Sequence, residues 1–143
     1  FTIMQFGMDE LFDEVVRPAL EVADPKARLR LIIRNHLLNI GRVSTPAGNP
    51  VTIVADEPGG LGPEKRAIIN GRKREYFQLL RGTLAELKDR GDTPEGLDPT
   101  VAAHSILGMI LWMARWRRPE GKLSLQSIID QITALALDGV LRR

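Results

Sequence analysis

The segment from Asp98 to Arg118 constrains the fold of this chain most, because it resembles one helix that is apolar on nearly every side. Asp98 can accept hydrogen bonds from the free N–H groups of a first helical turn, and Pro99 suits the first helical position. A surface helix carries a single apolar stripe, whereas residues 101–116 are apolar with only scattered exceptions. We therefore expect a central helix that is covered on several sides.

Composition narrows the classes of protein to which the chain can belong. Its 143 residues, 43% of them apolar and 27% charged, are typical of one globular domain. The absence of cysteine excludes disulfide scaffolds, thiolate metal sites and cysteine nucleophiles. A formal charge of +2 is too small to indicate that these residues bind nucleic acid by themselves.

Neither a membrane span nor a secretion signal is predicted. The uninterrupted apolar run, residues 106–114, is far shorter than the roughly 20 residues that a bilayer requires. The start of the chain lacks a basic region and becomes acidic at Asp9 and Glu10, unlike a signal peptide. We therefore expect a cytoplasmic protein without a membrane partner.

The rest of the chain is predicted to form further helices joined by turns. A first helix is predicted over residues 8–21, with Pro18 expected to kink or split it because proline removes a backbone donor. A second helix is predicted from the Asp-Pro pair at residues 24–25 to about residue 43, and the longest over residues 63–90. The predicted fold class is therefore all-α.

The long helix contains two glycines, and the segment before it has no regular pattern. Residues 44–62 are the least regular part, and residues 51–55 favour a short helix over an isolated strand that would lack a partner. Gly71 and Gly82 interrupt the long helix, where a bend or a close approach of another helix is expected. The positions of this helix predicted to face inward are Ile68, Tyr76, Leu79, Leu80, Leu84 and Leu87.

The last two helices are predicted to form an antiparallel hairpin that pairs with a second copy of itself. Ser124 is expected to cap a final helix with one clear apolar stripe. A two-fold axis would bring two hairpins together as a four-helix bundle, and a monomeric core helix is the alternative. The residues predicted to form the dimer interface are Ile106, Ile110, Leu125, Ile128, Ile129, Ile132 and Leu135.

The turn between these helices carries a family resemblance. Residues 112–121, WMARWRRPEG, followed by Leu123 and Ser124, resemble the W-x-x-R-W-[YR]-R-P-x-G and L-S pattern of TetR-family bacterial repressors. The pattern occurs in a branch that includes regulators of fatty-acid and steroid catabolism. Residues 5–12, QFGMDELF, resemble the family's junction between its DNA-binding and C-terminal domains. The resemblance extends from Asp9 to the end and implies a TetR-type C-terminal bundle of about six helices.

The resemblance also implies how the work is divided along the chain. Residues 1–8 would be the remnant of the junction, and residues 9–143 a ligand-binding and dimerisation domain. Family members carry about three helices with a helix-turn-helix before the junction, so DNA is expected to be a partner only through a domain outside these residues. The implied partners are a second copy of the chain, as a homodimer, and a hydrophobic small-molecule effector.

An effector pocket is implied among the second, long and central helices. The methionines and tryptophans of the central helix recur at three-and-four spacing and are expected to share the face that lines it, with ordinary core or dimer packing as the alternative. Arg115 lies inside the apolar run, where an unpaired charge would be costly, and is expected to meet a carboxylate, a backbone acceptor or an anionic ligand group. The predicted ligand contacts are Met109, Trp112, Met113, Arg115, Trp116, Tyr76 and His104.

Arginine-rich segments suggest the chemistry of the effector. Arg118 extends the cationic end of the central helix, and Arg72 belongs to a basic cluster at residues 65–74. Both are candidates to contact the phosphates of coenzyme A while an acyl chain enters the pocket, as the family branch implies. A solvated charged face is the alternative interpretation of the cluster. The favoured effector is an acyl-CoA thioester.

Other functions remain as alternatives. The effector could be an uncharged drug or steroid, or the chain could be a helical dimerisation module without a ligand. No cofactor is predicted, and His36 and His104 without any cysteine do not predict a metal site. No spacing of nucleophile, base and acid indicates a catalytic site, so an enzyme is not expected.

Overall fold

The computed structural model describes residues 2–43 and 62–142, and these residues form helices and turns without a strand. In chain order the elements are α1 (Thr2–Leu11), a π-helical turn (Phe12–Val16), α2 (Arg17–Leu20), α3 (Pro25–Val43), α4 (Pro63–Asp89), α5 (Pro99–Trp116) and α6 (Leu125–Val140). The all-α prediction is confirmed. The short helix predicted at residues 51–55 lies outside the described residues. None of the described helices combines the length and apolarity needed to cross a membrane.

The starts of α5 and α6 coincide with the capping residues of the sequence. Asp98 Oδ1 accepts hydrogen bonds from the backbone N–H groups of Thr100 at 2.7 Å and Val101 at 3.1 Å. These bonds hold the pKa of the Asp98 carboxyl below its usual range. Ser124 Oγ accepts a hydrogen bond from the backbone N–H of Ser127 at 3.1 Å. Each cap satisfies N–H groups that a first helical turn leaves without a partner, and both predicted starts are confirmed.

The first helix begins earlier than predicted. Its start was expected at Met8, with Asp9 and Glu10 in the first turn, whereas α1 already begins at Thr2. The acidic pair therefore lies inside the helix, where Asp9 pairs with Arg72 of α4. The prediction of the start is wrong, because acidic residues that suit a first turn are equally stable where a neighbouring helix supplies a cation.

Pro18 was expected to kink or split this helix, and it interrupts the α-helical hydrogen bonding while residues 2–20 remain helical. It has no N–H, and its ring crowds the carbonyl of the preceding turn. The backbone widens before it into the π-helical turn, in which the N–H of Arg17 donates to the Phe12 carbonyl oxygen. Asn35 Nδ2 of α3 donates to the Glu14 carbonyl oxygen at 2.9 Å. A regular α-helix would pair that oxygen with residue 18, so α3 supplies the bond that proline cannot.

The most enclosed of the described elements is α3. It packs against α4, α5, α6 and the π-helical turn. Its apolar residues at three-and-four spacing are all completely buried: Leu29, Ile32, Ile33, Leu37 and Ile40. By contrast, α5 leaves Val101 and Trp112 61% exposed on its outer side. The described part of one chain therefore covers only the inner side of this apolar helix.

The inner face of α4 differs from the prediction at one position. Ile69 is completely buried, whereas Ile68, which was predicted to face inward, is 46% exposed. Ile69 precedes Tyr76 by seven residues, or two helical turns, and so shares its face. The two adjacent isoleucines have the same side chain, so the position of the neighbouring helices decides which of them is buried.

Among the described glycines, Gly41 is the one at which another helix comes closest. A Cβ atom there would lie 2.4 Å from Leu125 Cδ1, so α3 and α6 meet where only a hydrogen fits. At Gly71 and Gly82, no atom of the described residues lies within 4 Å of the position a Cβ would take. The described part of the chain therefore shows no close approach at the two glycines where one was expected.

Candidate functional site

Two polar side chains meet inside the core between α3 and α4. His36 Nδ1 and Tyr76 Oη are 2.6 Å apart, and the two rings meet edge to face with centroids 5.1 Å apart. Both side chains are buried. Burial lowers the pKa of His36 to about 3 and raises the pKa of the Tyr76 hydroxyl. Both groups are therefore neutral at physiological pH.

The neutral state determines what His36 offers on its other ring nitrogen. When the Tyr76 hydroxyl donates to Nδ1, the ring hydrogen is on Nε2, which becomes a donor. An unprotonated imidazole nitrogen is a stronger acceptor than a phenol oxygen, so the Tyr76 hydroxyl is the expected donor in this 2.6 Å contact. We therefore assign the hydrogen to Nε2. This atom is buried and has no hydrogen-bond partner within residues 2–43 and 62–142.

Asn39, close to His36 on α3, connects the core to the π-helical turn. Its Nδ2 donates to Glu14 Oε2 at 2.9 Å, and Arg42 donates to the other carboxylate oxygen. Partial burial acts to raise the pKa of Glu14, but these two hydrogen bonds outweigh it and the pKa is lowered. Asn39 Oδ1 is buried and has no partner among the described residues. Thus α3 holds the π-helical turn through both its backbone and a charged side chain.

The predicted ligand contacts of α5 lie on two sides of the helix. Met113 is completely buried and faces the core. Trp112 and Trp116 are 61% and 48% exposed. An open groove of about 400 Å³ lies on the outer side of the hairpin. The residues that line it are Gly108, Met109, Trp112, Trp116 and Ile132. The prediction that both methionines and both tryptophans share one face is therefore wrong, because Met113 is on the inner side.

Two further predicted contacts lie at the surface of α5. His104 is exposed, and its ring lies against Phe77 of α4 with centroids 4.6 Å apart. Arg115 is also exposed, and its guanidinium carbon lies 5.4 Å from the centroid of the Trp112 ring. The apolar run of α5 therefore turns this position of the helix towards solvent.

The two phosphate-contact candidates have different surroundings. Arg72 donates to Asp9 at 2.6 Å, and its guanidinium lies 4.5 Å over the Phe12 ring. It therefore fixes α4 to the first helix. Arg118 is exposed in the turn before α6 and lines a second groove, of about 210 Å³, that also contains Trp116 and Leu123. Arg72 and Arg118 therefore have no neighbouring residues in common among those that the structure describes.

Most residues predicted for the dimer interface are buried within the single chain. Ile106 and Ile110 are 1% and 0% exposed, because the inner side of α5 packs against α3 and α4. They have no surface left for a partner, and their prediction as interface residues is wrong. Three isoleucines of α6 are also at most 8% exposed: Ile128, Ile129 and Ile132.

The exposed apolar surface of the hairpin lies on its other side. Val101 and Trp112 of α5 are each 61% exposed, and Leu135 of α6 is 66% exposed. Leu125 is partly exposed at the start of α6. Leu125 also packs against α3 at Gly41. Among the residues predicted for the interface, Leu135 therefore remains exposed, and Ile132 lines the open groove.

Sequence reasoning missed the polar residues of α3. His36 follows Ile32 by four residues and precedes Ile40 by four, so it lies within the apolar stripe. A polar residue at such a position is a signal of a buried polar site. Asn35 and Asn39 flank it, but their contacts with Glu14 depend on how the first helix packs and leave no pattern in the sequence.

The comparison with protein families decides where the chain belongs. Residues 22–140 match the family model described as "Tetracyclin repressor-like, C-terminal domain". The chain is a member of the TetR family. Its resemblance to the C-terminal domain of that family is thereby confirmed. The TetR family consists of transcription regulators. A comparison with curated proteins found no match to the chain.

Solved structures of TetR-family regulators share the fold of this chain. AibR in complex with isovaleryl coenzyme A and operator DNA is 33% identical, with a TM-score of 0.82 over 94% of this chain and 71% of AibR. A TetR/AcrR-family regulator from Thermobifida fusca is 30% identical, with a TM-score of 0.79 over 100% of this chain and 73% of the regulator. The ketosteroid regulator KstR2 of Mycobacterium tuberculosis is 22% identical and shares the fold, with a TM-score of 0.83 over 98% of this chain and 70% of KstR2.

Proposed function

We propose that this chain is the effector-binding and dimerisation domain of a TetR-family repressor, and that its effector is an acyl-CoA thioester. The observation that carries the proposal is the neutral His36–Tyr76 pair, which presents a ring nitrogen without a partner among the described residues. Effector pockets are mainly apolar with a few polar groups that orient the ligand, and this pair provides such a group. The isovaleryl coenzyme A bound to AibR, a family member 33% identical to this chain, supports the thioester.

The proposed mechanism is a shift between two conformations. The effector binds among α3, α4 and α5 and favours one position of α3. Because Asn35 and Asn39 hold the π-helical turn at Glu14, a movement of α3 also moves the first helix. In this family the first helix follows the DNA-binding domain, so the movement releases the full regulator from its operator. Such a regulator acts in the cytoplasm and catalyses no reaction.

The proposed dimer uses the outer side of the hairpin. Val101, Trp112 and Leu135 form an exposed apolar surface on α5 and α6 that a two-fold copy would cover. Gly108 lies on the same side, and no described residue is within 4 Å of its Cβ position, so a second helix could approach closely there. We propose this surface in place of Ile106 and Ile110, which the chain itself buries.

A second candidate effector is an uncharged hydrophobic molecule. One observation favours it: Arg72, expected to contact phosphate, already pairs with Asp9 and lies over Phe12. Arg118 remains exposed and retains the proposed phosphate role. The two candidates differ in whether binding needs the coenzyme A moiety.

Thermal unfolding of the chain with acyl-CoAs, free fatty acids, neutral steroids and coenzyme A alone tests the proposal. A ligand at 100 times its dissociation constant should add roughly 2.7 kcal/mol to the free energy of unfolding. Stabilisation that requires both the acyl chain and coenzyme A supports the thioester. Stabilisation by neutral apolar compounds alone would select the second candidate, and no stabilisation by any of these compounds contradicts both.

A further inference from the structure

The geometry of the buried pair points to a specific contact with the effector. We propose that His36 Nε2–H donates a hydrogen bond to the carbonyl oxygen of the effector's thioester, so that the domain distinguishes an acyl compound from its alkyl analogue. This assignment rests on the proposed function and adds to it the atom of the effector that the domain recognises.

A buried hydrogen-bond donor such as His36 Nε2–H needs an acceptor. His36 is 1% exposed, and its Nε2 finds no hydrogen-bond partner in the described residues. Buried polar atoms in proteins nearly always have a partner in the protein, in ordered water or in a ligand. A ligand atom that accepts a hydrogen bond at this position would supply the partner that the described part of the chain does not.

Tyr76 determines which kind of atom this partner must be. With the Tyr76 hydroxyl as donor in its 2.6 Å contact with His36 Nδ1, the ring hydrogen is on Nε2. The His36 Nε2–H donor can bind only an atom that accepts a hydrogen bond. A carbonyl oxygen is such an atom, because it accepts and carries no hydrogen. Tyr76 is therefore a positioning residue, because it acts on the effector through the tautomer of His36.

The charge of both partners also fits this contact. The imidazole is neutral, and a thioester carbonyl is neutral as well, so their hydrogen bond brings no charge into the core. The arginines on either side of His36 in α3 are engaged elsewhere. Arg34 donates to Asp130 of α6 at 2.8 Å, and Arg42 donates to Glu14. The polar group that α3 presents at this position is therefore a neutral donor.

The discriminating experiment compares thioesters with thioethers. Calorimetric titration of the chain uses isovaleryl-CoA and straight-chain acyl-CoAs from butyryl to palmitoyl, each beside the S-alkyl coenzyme A of the same chain. Each pair has identical phosphates and nearly identical apolar chains, and differs in the carbonyl oxygen. We expect the thioester to bind about tenfold more tightly, as one hydrogen bond to a buried donor implies.

Variants then assign the difference to His36. His36→Phe removes the donor and should bring the two affinities to within about twofold, whereas His36→Gln keeps an N–H donor and should retain part of the difference. Tyr76→Phe should reduce the difference, since the tautomer is no longer held. Leu38→Ala, at an exposed position of the same helix, is the matched control and should leave the difference unchanged.

The outcomes separate this inference from the function on which it rests. If the wild type binds thioester and thioether equally, the His36 assignment is wrong while the acyl-CoA proposal stands. If no coenzyme A compound binds, both are wrong. Should His36→Phe fail to fold, ¹⁵N NMR of the wild-type imidazole decides: the His36 Nε2–H signal must shift with the thioester and not with the thioether, and an unchanged signal overturns the assignment.

Discussion

His36 shows how the position of one residue in the fold sets its acid–base behaviour. Burial lowers its pKa from the usual 6.5 to about 3, and the cause is desolvation of the charged ring. Below pH 6.5 the unfolded chain therefore binds a proton that the folded chain excludes. The free energy of unfolding is therefore unaffected by this group above the pKa of the unfolded state, and it decreases as the pH falls from that value towards the pKa of the folded state.

Replacing His36 by glutamine should remove this pH dependence. In the wild type, the free energy of unfolding should fall by up to about 1.4 kcal/mol per pH unit as the pH decreases from about 6.5 to 5. In His36→Gln the slope over the same window should be markedly smaller, because glutamine does not titrate. Urea denaturation at several pH values measures both slopes. Parallel curves for the two proteins would show that His36 titrates normally and is not buried as described.

At the scale of elements, the contact between α3 and the π-helical turn couples the core to the first helix. Pro18 leaves the Glu14 carbonyl without its usual donor, and Asn35 provides one at 2.9 Å. The Glu14 carboxylate is held by Asn39 and Arg42 from the same helix. A single helix therefore carries both the buried histidine and the groups that fix the break.

Asn35→Ala should loosen this coupling. Loss of the donor to a part-buried carbonyl should lower the free energy of unfolding by about 1 to 2 kcal/mol. Amide hydrogen exchange of residues 14–21 should become faster, because the π-helical turn loses its contact with α3.

Gln78→Ala removes an exposed amide from α4 and serves as the control, with an expected change within about 0.5 kcal/mol. Equal effects of the two substitutions, or unchanged exchange at residues 14–21, would contradict the role given to Asn35.

At the scale of the whole molecule, the described residues leave an apolar surface exposed on the outer side of the α5–α6 hairpin. Val101, Trp112 and Leu135 are all more than 60% exposed there. Leu20 on α2 is 67% exposed but lies on a different element. Exposed apolar side chains on a monomer are common singly, and a group of them on one hairpin indicates an interaction surface.

Leu135→Glu should convert the proposed dimer to a monomer. A carboxylate buried at the two-fold interface would lie close to apolar groups and to its own symmetry copy, both of which oppose association. Sedimentation velocity should show a lower sedimentation coefficient for this variant. Leu20→Glu changes a leucine of equal exposure and should sediment like the wild type. A wild-type chain that sediments as a monomer would reject the interface altogether.

The fold was largely predictable, and the candidate site only in part. Asp98 and Ser124 mark helix starts because a cap acts on N–H groups two or three residues away, and Pro18 disturbs the turn beside it. The candidate site was harder to predict, because the burial of a residue depends on neighbouring helices, which the spacing of apolar residues does not identify. Ile106 and Trp112 are both apolar residues of α5, yet one is 1% and the other 61% exposed.

Local sequence was sufficient for the helical class, the caps at Asp98 and Ser124 and the break at Pro18, because each of these depends on residues within one or two turns of the chain. Packing between distant segments established the rest. It selected Ile69 over Ile68, turned Met113 away from the tryptophans, and joined His36 to Tyr76 across 40 residues of sequence. A hydrogen bond of that kind forms only when separate helices meet, since its energy depends on the distance and burial that their packing creates.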